Sequence, residues 1–201
     1  PGWCADFRME NWNHCESLQS SIVKDENWRF SPKSRFSLSG VNQLNSDVDL
    51  LSLSSSINSK SRFQNLNKMI LDYPSEISRI IDLKGPCLGA LSNYHLTSAL
   101  FDNGFFLNTA SGNESREVFT VRHKLPSSGS ISFRKNVLTL SPFSEITVIE
   151  FIESDRDSNS GNLSSILHAE IGEGAKLNRI LIQDAKTNAT LHQFENFVIG
   201  K

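Results

Sequence analysis

The sequence predicts a mainly β protein, a parallel β-helix (β-solenoid) core preceded by a smaller α-helical or irregular N-terminal region. Three observations lead there. From Phe105 onward, apolar and polar residues alternate in short runs separated by turn residues. Those runs recur at a nearly constant spacing. Upstream of them, apolar residues fall instead at helical spacing, in short stretches ended by Pro or Gly. The domain division expected from this is 1–94 for the N-terminal region and 95–201 for the first coils of the core.

Taken in order, the stretch to about Phe36 is polar and carries three tryptophans, Trp3, Trp12 and Trp28. A short helix begun near Asp6 is expected to continue through Ser17–Val23, and Pro32 stops any helix running through Trp28. Residues 37–61 are rich in Ser and Asn and read as loop with one weak strand near Asp47–Leu53. Leu66, Met69 and Ile70 share one helical face, and Pro74 breaks that helix. Ser75 is positioned as the N-cap of a second helix with Ile77, Ile80 and Ile81 as its buried stripe, and Gly85-Pro86 ends it. A third helix is expected from about Leu88 to Phe101, turned out by Asn103-Gly104.

The strands then follow as Phe105–Thr109, Val118–His123, Ile131–Phe133, Val137–Leu140, Ile146–Ile152, Leu163–Ile171 and Leu177–Ile182. Leu138–Ile146 aligns with Ala169–Leu177 at an offset of 31 residues, which also places Ile149 on Ile180 and Phe151 on Ile182. Phe197-Val-Ile-Gly200 aligns with Ala169-Glu-Ile-Gly172 at an offset of 28 residues. Leu138/Leu140, Ala169/Ile171 and Phe197/Ile199 are therefore expected to stack as an inward column, with Ser141, Gly172 and Gly200 at the corners. A coil stacked on the coil before it buries an apolar face that a lone strand pair cannot, so equivalent positions recur once per turn. The third row is unfinished at Lys201, and the protein is expected to continue beyond it.

Composition narrows the function classes. The 201 residues carry a formal charge of −2, without the Lys/Arg clustering that phosphate binding requires. No nucleic-acid partner is expected. No apolar run reaches the roughly 20 residues needed to span a bilayer, so no membrane association is expected. Three unpatterned cysteines, Cys4, Cys15 and Cys87, do not form a disulfide framework and suit a reducing, cytoplasmic setting.

Cys4, His14 and Cys15 lack the paired short spacing of structural zinc sites. Cys87 reads as a small buried residue. His95, His123, His168 and His192 are scattered, and His168 is expected to point outward into solvent. Glu145, Glu150, Glu153, Asp155 and Asp157 form an acidic group in the sequence that reads as a solvated turn. Gly172-Glu-Gly-Ala-Lys176 lacks phosphate-loop spacing and reads as a corner. The Trp28-Arg29-Phe30 segment reads as a linker pinned by buried rings. No catalytic, cofactor-binding or metal residue is assigned.

Three segments together resemble the SufB/SufD family of iron–sulfur cluster assembly proteins, nearer to SufD. Ile171-Gly-Glu-Gly-Ala-Lys-Leu177 followed by Ile180-Leu-Ile-Gln183 looks like that family's recurring strand-and-corner motif. Asn93–Leu107 looks like the approach to its core, and Asp25–Pro32 is similar to its Glu-x-Trp-(Arg/Lys)-(Tyr/Phe)-(Thr/Ser) segment. The resemblance implies a non-enzymatic, cytoplasmic scaffold subunit that pairs with SufB-like and SufC-like subunits. It also implies a transient iron–sulfur cluster in the assembled complex and no cofactor in this portion. The family's assembly residues lie in later coils, so none is carried over. A secreted β-helix carbohydrate-active enzyme or adhesin is the alternative, and a β-solenoid interaction module without a metal link is a third.

Overall fold

A computed structural model describes residues 1–18, 41–44, 51–55, 61–81, 91–109, 116–154, 161–186 and 188–200. The Trp28 segment, Cys87, Gly85-Pro86, Asp155, Asp157 and Lys201 lie outside the described residues.

The elements run α1 (Gly2–Leu18), β1 (Gln43–Leu44), β2 (Leu51–Ser55), β3 (Arg62–Asn65), α2 (Leu66–Asp72), α3 (Pro74–Ile81), α4 (Leu91–Leu100) and β4 (Phe105–Asn108). They continue with β5 (Glu117–Lys124), β6 (Ser130–Leu140), β7 (Glu145–Glu153), β8 (Asn162–Ile171), β9 (Lys176–Asp184) and β10 (Leu191–Ile199). One sheet has the order β10-β8-β6-β4-β3 with β1 also against β6, and the other has the order β2-β5-β7-β9. From β4 onward, successive strands alternate between the two sheets and pair in parallel within each. β2 and β3 join antiparallel, on β5 and β4.

The expected class, a mainly β chain with a parallel β-helix core, is corrected by this topology. The fold is mixed α/β, with two mostly parallel sheets and four helices among the described residues. A constant offset specifies which strands are neighbours. It does not specify what covers their outer faces, and here helices cover one of them. Cys4 and Phe7 of α1, Leu66, Met69 and Ile70 of α2, and Ile77 and Ile81 of α3 form one core with Ile131, Phe133 and Val137 of β6.

The residue rows themselves appear in the strand register. Leu138 pairs with Ala169 and Ala169 with Phe197, while Leu140 pairs with Ile171 and Ile171 with Ile199. In the second sheet Ile149 pairs with Ile180 and Phe151 with Ile182. Leu138, Leu140, Ala169 and Ile171 are buried between the sheets against Phe119, Val121, Ile146 and Val148. Phe197 and Ile199, on the outermost strand, are exposed.

Several local expectations change. α3 starts at Pro74, which suits a first helical position because its missing N–H would be unpaired there anyway. Ser75 is therefore inside the helix, and Tyr73 supplies the carbonyl accepting from Glu76 and Ile77. Asn65 caps α2, its side chain accepting from the backbone N–H of Asn67 at 2.8 Å. The two short runs Ile131–Phe133 and Val137–Leu140 are one continuous strand, β6. The intervening Arg134-Lys135-Asn136 read as an interruption in the sequence, yet all three are buried. Asn136 Oδ1 accepts from the Phe105 N–H at 3.1 Å, which ties β6 to the start of β4. Gly104 permits this approach: a Cβ there would lie 1.7 Å from the Lys135 carbonyl oxygen.

Candidate functional site

The space between the sheets holds two apolar clusters separated by a row of polar side chains. Alternation sets the row's place. On β5, His123 lies between inward Val121 and Leu125; on β7, Glu150 lies between Val148 and Ile152. On β9, Arg179 lies between Leu177 and Leu181, and on β8, Ser165 lies between Leu163 and Leu167. In each case the residue two before belongs to one apolar cluster or the other, and so does the residue two after. The parallel register puts these positions on one face, staggered by two residues from strand to strand: Glu150 pairs with Val121 and Leu181, His123 with Ile152 and Arg179 with Val148. Arg134 of β6 is fully buried, and its charge acts on His123.

A continuous chain of contacts follows. Glu150 Oε2 is 3.5 Å from His123 Nε2, and Glu150 Oε1 accepts from Arg179 Nε at 2.5 Å. Arg179 also donates through a terminal guanidinium nitrogen to Glu195 Oε1 on β10 at 2.6 Å. Side-chain exposure rises along the chain from 3% at His123 and 3% at Glu150 to 14% at Arg179 and 35% at Glu195. The contacts thus run from the interior to the rim, and the last one crosses from one sheet to the other.

Electrostatics fixes the protonation pattern. Burial alone would raise the Glu150 carboxyl, but the hydrogen bonds to His123 and Arg179 outweigh it and hold the group below its ordinary range. Burial lowers His123, only partly offset by Glu150, so its imidazole is neutral. Arg179 is shifted upward: burial opposes this, but the Glu150 and Glu195 carboxylates prevail. Two carboxylates and two guanidiniums then share the row, with His123 neutral among them. Such a row can clamp two sheets in register. Its deeper members are closed off from solvent.

This placement corrects two expectations. Glu150 does not belong to a solvated turn; it is buried between the sheets, while Glu145 and Glu153 are partly exposed in ion pairs with Arg116 and Arg122. His168 does not point into solvent. It is buried on the helix-covered face of β8, and burial followed by the charge of Lys135 lowers its pKa to about 4.

A second polar group lies beneath α1. Lys135 of β6 is buried with its Nζ 4.5 Å from the centre of the Phe7 ring and 3.3 Å from Ser98 Oγ. His95 of α4 lies against Asn11 and His14 of α1. Cys4 and Cys15 are both buried on α1, eleven residues apart. Among the described residues, no group of three or more His, Cys, Asp or Glu side chains is placed to hold a metal ion. Gly172–Lys176 forms the turn from β8 to β9, with Gly174 at φ 63° and the Ala175 N–H donating to the Gly172 carbonyl. Among the described residues, no helix is long and apolar enough to cross a membrane.

Comparison with protein-family models, with curated proteins and with solved structures finds no match for this chain.

Proposed function

We propose that this chain is a non-enzymatic, SufD-like subunit of a SUF-type iron–sulfur assembly complex, working in the cytoplasm with SufB-like and SufC-like partners. The observation that carries the reading is the ordered set of three segments, Asp25–Pro32, Asn93–Leu107 and Ile171–Gln183. The parallel rows Leu138/Ala169/Phe197 and Leu140/Ile171/Ile199 are consistent with it, because they make the Ile171–Leu177 motif a repeated strand and corner. The buried row of His123, Glu150 and Arg179 also favours a scaffold, since its charges are spent on one another. In this reading the iron–sulfur cluster is cargo handled by the assembled complex, and no residue of this chain is assigned as its ligand.

The test is co-purification of the full-length protein with a SufC-type ATPase and a SufB homologue. A stable ternary complex is expected. A full-length protein that binds neither homologue would sink the proposal.

A further inference from the structure

We propose that α1 is a pH-sensitive latch, docked on α4 and β6 near neutral pH and released when His95, which lies against Asn11 and His14 of α1, takes up a proton. The helix is held by one face: Cys4, Phe7, Asn11 and Cys15 are its buried residues, spaced three and four apart. Two polar contacts tie it down without involving histidine. Arg8 donates to the Phe101 carbonyl at 2.7 Å, and its guanidinium lies 4.4 Å from the centre of the Phe101 ring.

The third polar contact involves a titratable group. Asn11 Nδ2 donates to the Phe7 carbonyl at 2.8 Å, which orients its Oδ1 toward His95 Nδ1, also at 2.8 Å. His95 therefore donates through Nδ1. The His14 ring of α1 lies over it with centroids 5.0 Å apart, and Tyr94 of its own helix packs edge-on at 5.5 Å. From β6, the buried Lys135 adds a positive charge beneath the same helix. The carboxylate facing this group from α1 is Glu10, 3.8 Å from His14 Nε2 and largely exposed, so water screens it. Protonating His95 brings a further cation next to Lys135, with one screened anion to offset it. Burial, then His14 and Lys135, hold His95 below its ordinary value, while Glu10 opposes weakly. Undocking removes that penalty, so proton uptake and release of α1 are linked.

Hydrogen–deuterium exchange on the intact chain at pH 7.5 and pH 5.0, with times scaled to equal intrinsic rates, tests this. In the wild type, α1 loses protection several-fold at pH 5.0, and by more than β6 and β8 lose theirs. For one histidine with an ordinary value near 6.5, the loss reaches at most about 30-fold. His95→Gln abolishes the response. His14→Gln, at an exposed position that leaves folding intact, reduces it. Equal α1 protection at both pH values overturns the proposal. So does a full response in both variants, or a loss of α1 protection no greater than that of β6 and β8.

Discussion

Glu150 on β7 and Arg179 on β9 meet at 2.5 Å between the two sheets, two residues off direct register, since Arg179 pairs with Val148 and Glu150 with Leu181. That offset places both side chains on the inward face and lets Arg179 reach onward to Glu195 of the opposite sheet. The energetic meaning of such a contact depends on whether one partner or both are removed.

Glu150→Gln leaves Arg179 with a weaker partner and Arg134 facing an unbalanced interior. Removing one member of a buried ion pair costs roughly 3–5 kcal/mol, whereas replacing both with apolar side chains of similar size is close to neutral. Denaturant unfolding should therefore show a large loss in Glu150→Gln and substantial recovery in Glu150→Met/Arg179→Met. If the double variant is as unstable as the single one, the pair is not the source of the cost.

Proton linkage gives a second prediction. His95, His123 and His168 all have folded values below the ordinary histidine value. A lowered value means the folded state binds fewer protons, so stability present above the unfolded pKa, about 6.5, is lost as pH falls through the folded values. Asp102 runs the other way: burial raises it to about 6, so its contribution is fully present at low pH and is lost as pH rises through 6. Three groups oppose one, and unfolding at fixed denaturant should show lower stability at pH 5 than at pH 7.5. A flat or inverted profile would contradict the burial of the histidines.

The Lys135–His168 coupling can be isolated. His168 should titrate near 4 by NMR, because of burial first and Lys135 second. Lys135→Met removes the second cause and leaves the first. The His168 value should then rise but stay below 6.5. An unchanged value would place Lys135 too far away to matter.

Backbone approach makes Gly104 and Gly174 unequal. At Gly104 a methyl group would collide with the backbone carbonyl of Lys135, which cannot rotate away. At Gly174 the obstacle is the exposed Phe143 ring, and the cost is chiefly the left-handed backbone, about 1–2 kcal/mol. Gly104→Ala should lower the melting temperature well beyond Gly174→Ala. The reverse order would show that the β4–β6 approach is looser than described.

The alternation that sets the buried row is present in the sequence, but the row itself was not legible there. Val121-x-His123-x-Leu125, Val148-x-Glu150-x-Ile152 and Leu177-x-Arg179-x-Leu181 each set an ionisable residue between inward apolar positions. Taken singly, such a residue looks like a break or a solvated turn, which is how Glu150 reads. Taken together, three such positions share the inward parity of their strands, but the 31-residue offset sets Leu181 rather than Arg179 opposite Glu150, so the contact itself is not legible. His168 carries no comparable signal. Its neighbours Leu167 and Ala169 are inward, so its face is the outer one, and only the helices over β8 and β6 turn that face into interior.

By itself the sequence determined that β6, β8 and β10 are neighbours, as are β7 and β9, and that Leu138, Leu140, Ala169 and Ile171 face inward; Phe197 and Ile199, expected in the same column, are exposed. Alternation and a constant offset are properties of the chain alone. Tertiary structure decided the fold class and the state of the charged residues. Burial of Lys135, Arg134, Glu150 or His168 depends on what lies opposite, and a charge is tolerated inside only where the fold supplies a countercharge, a hydrogen-bond partner or an aromatic face. Those partners lie between 16 residues away, as Glu195 does from Arg179, and 128 away, as Phe7 does from Lys135, beyond the reach of any local pattern.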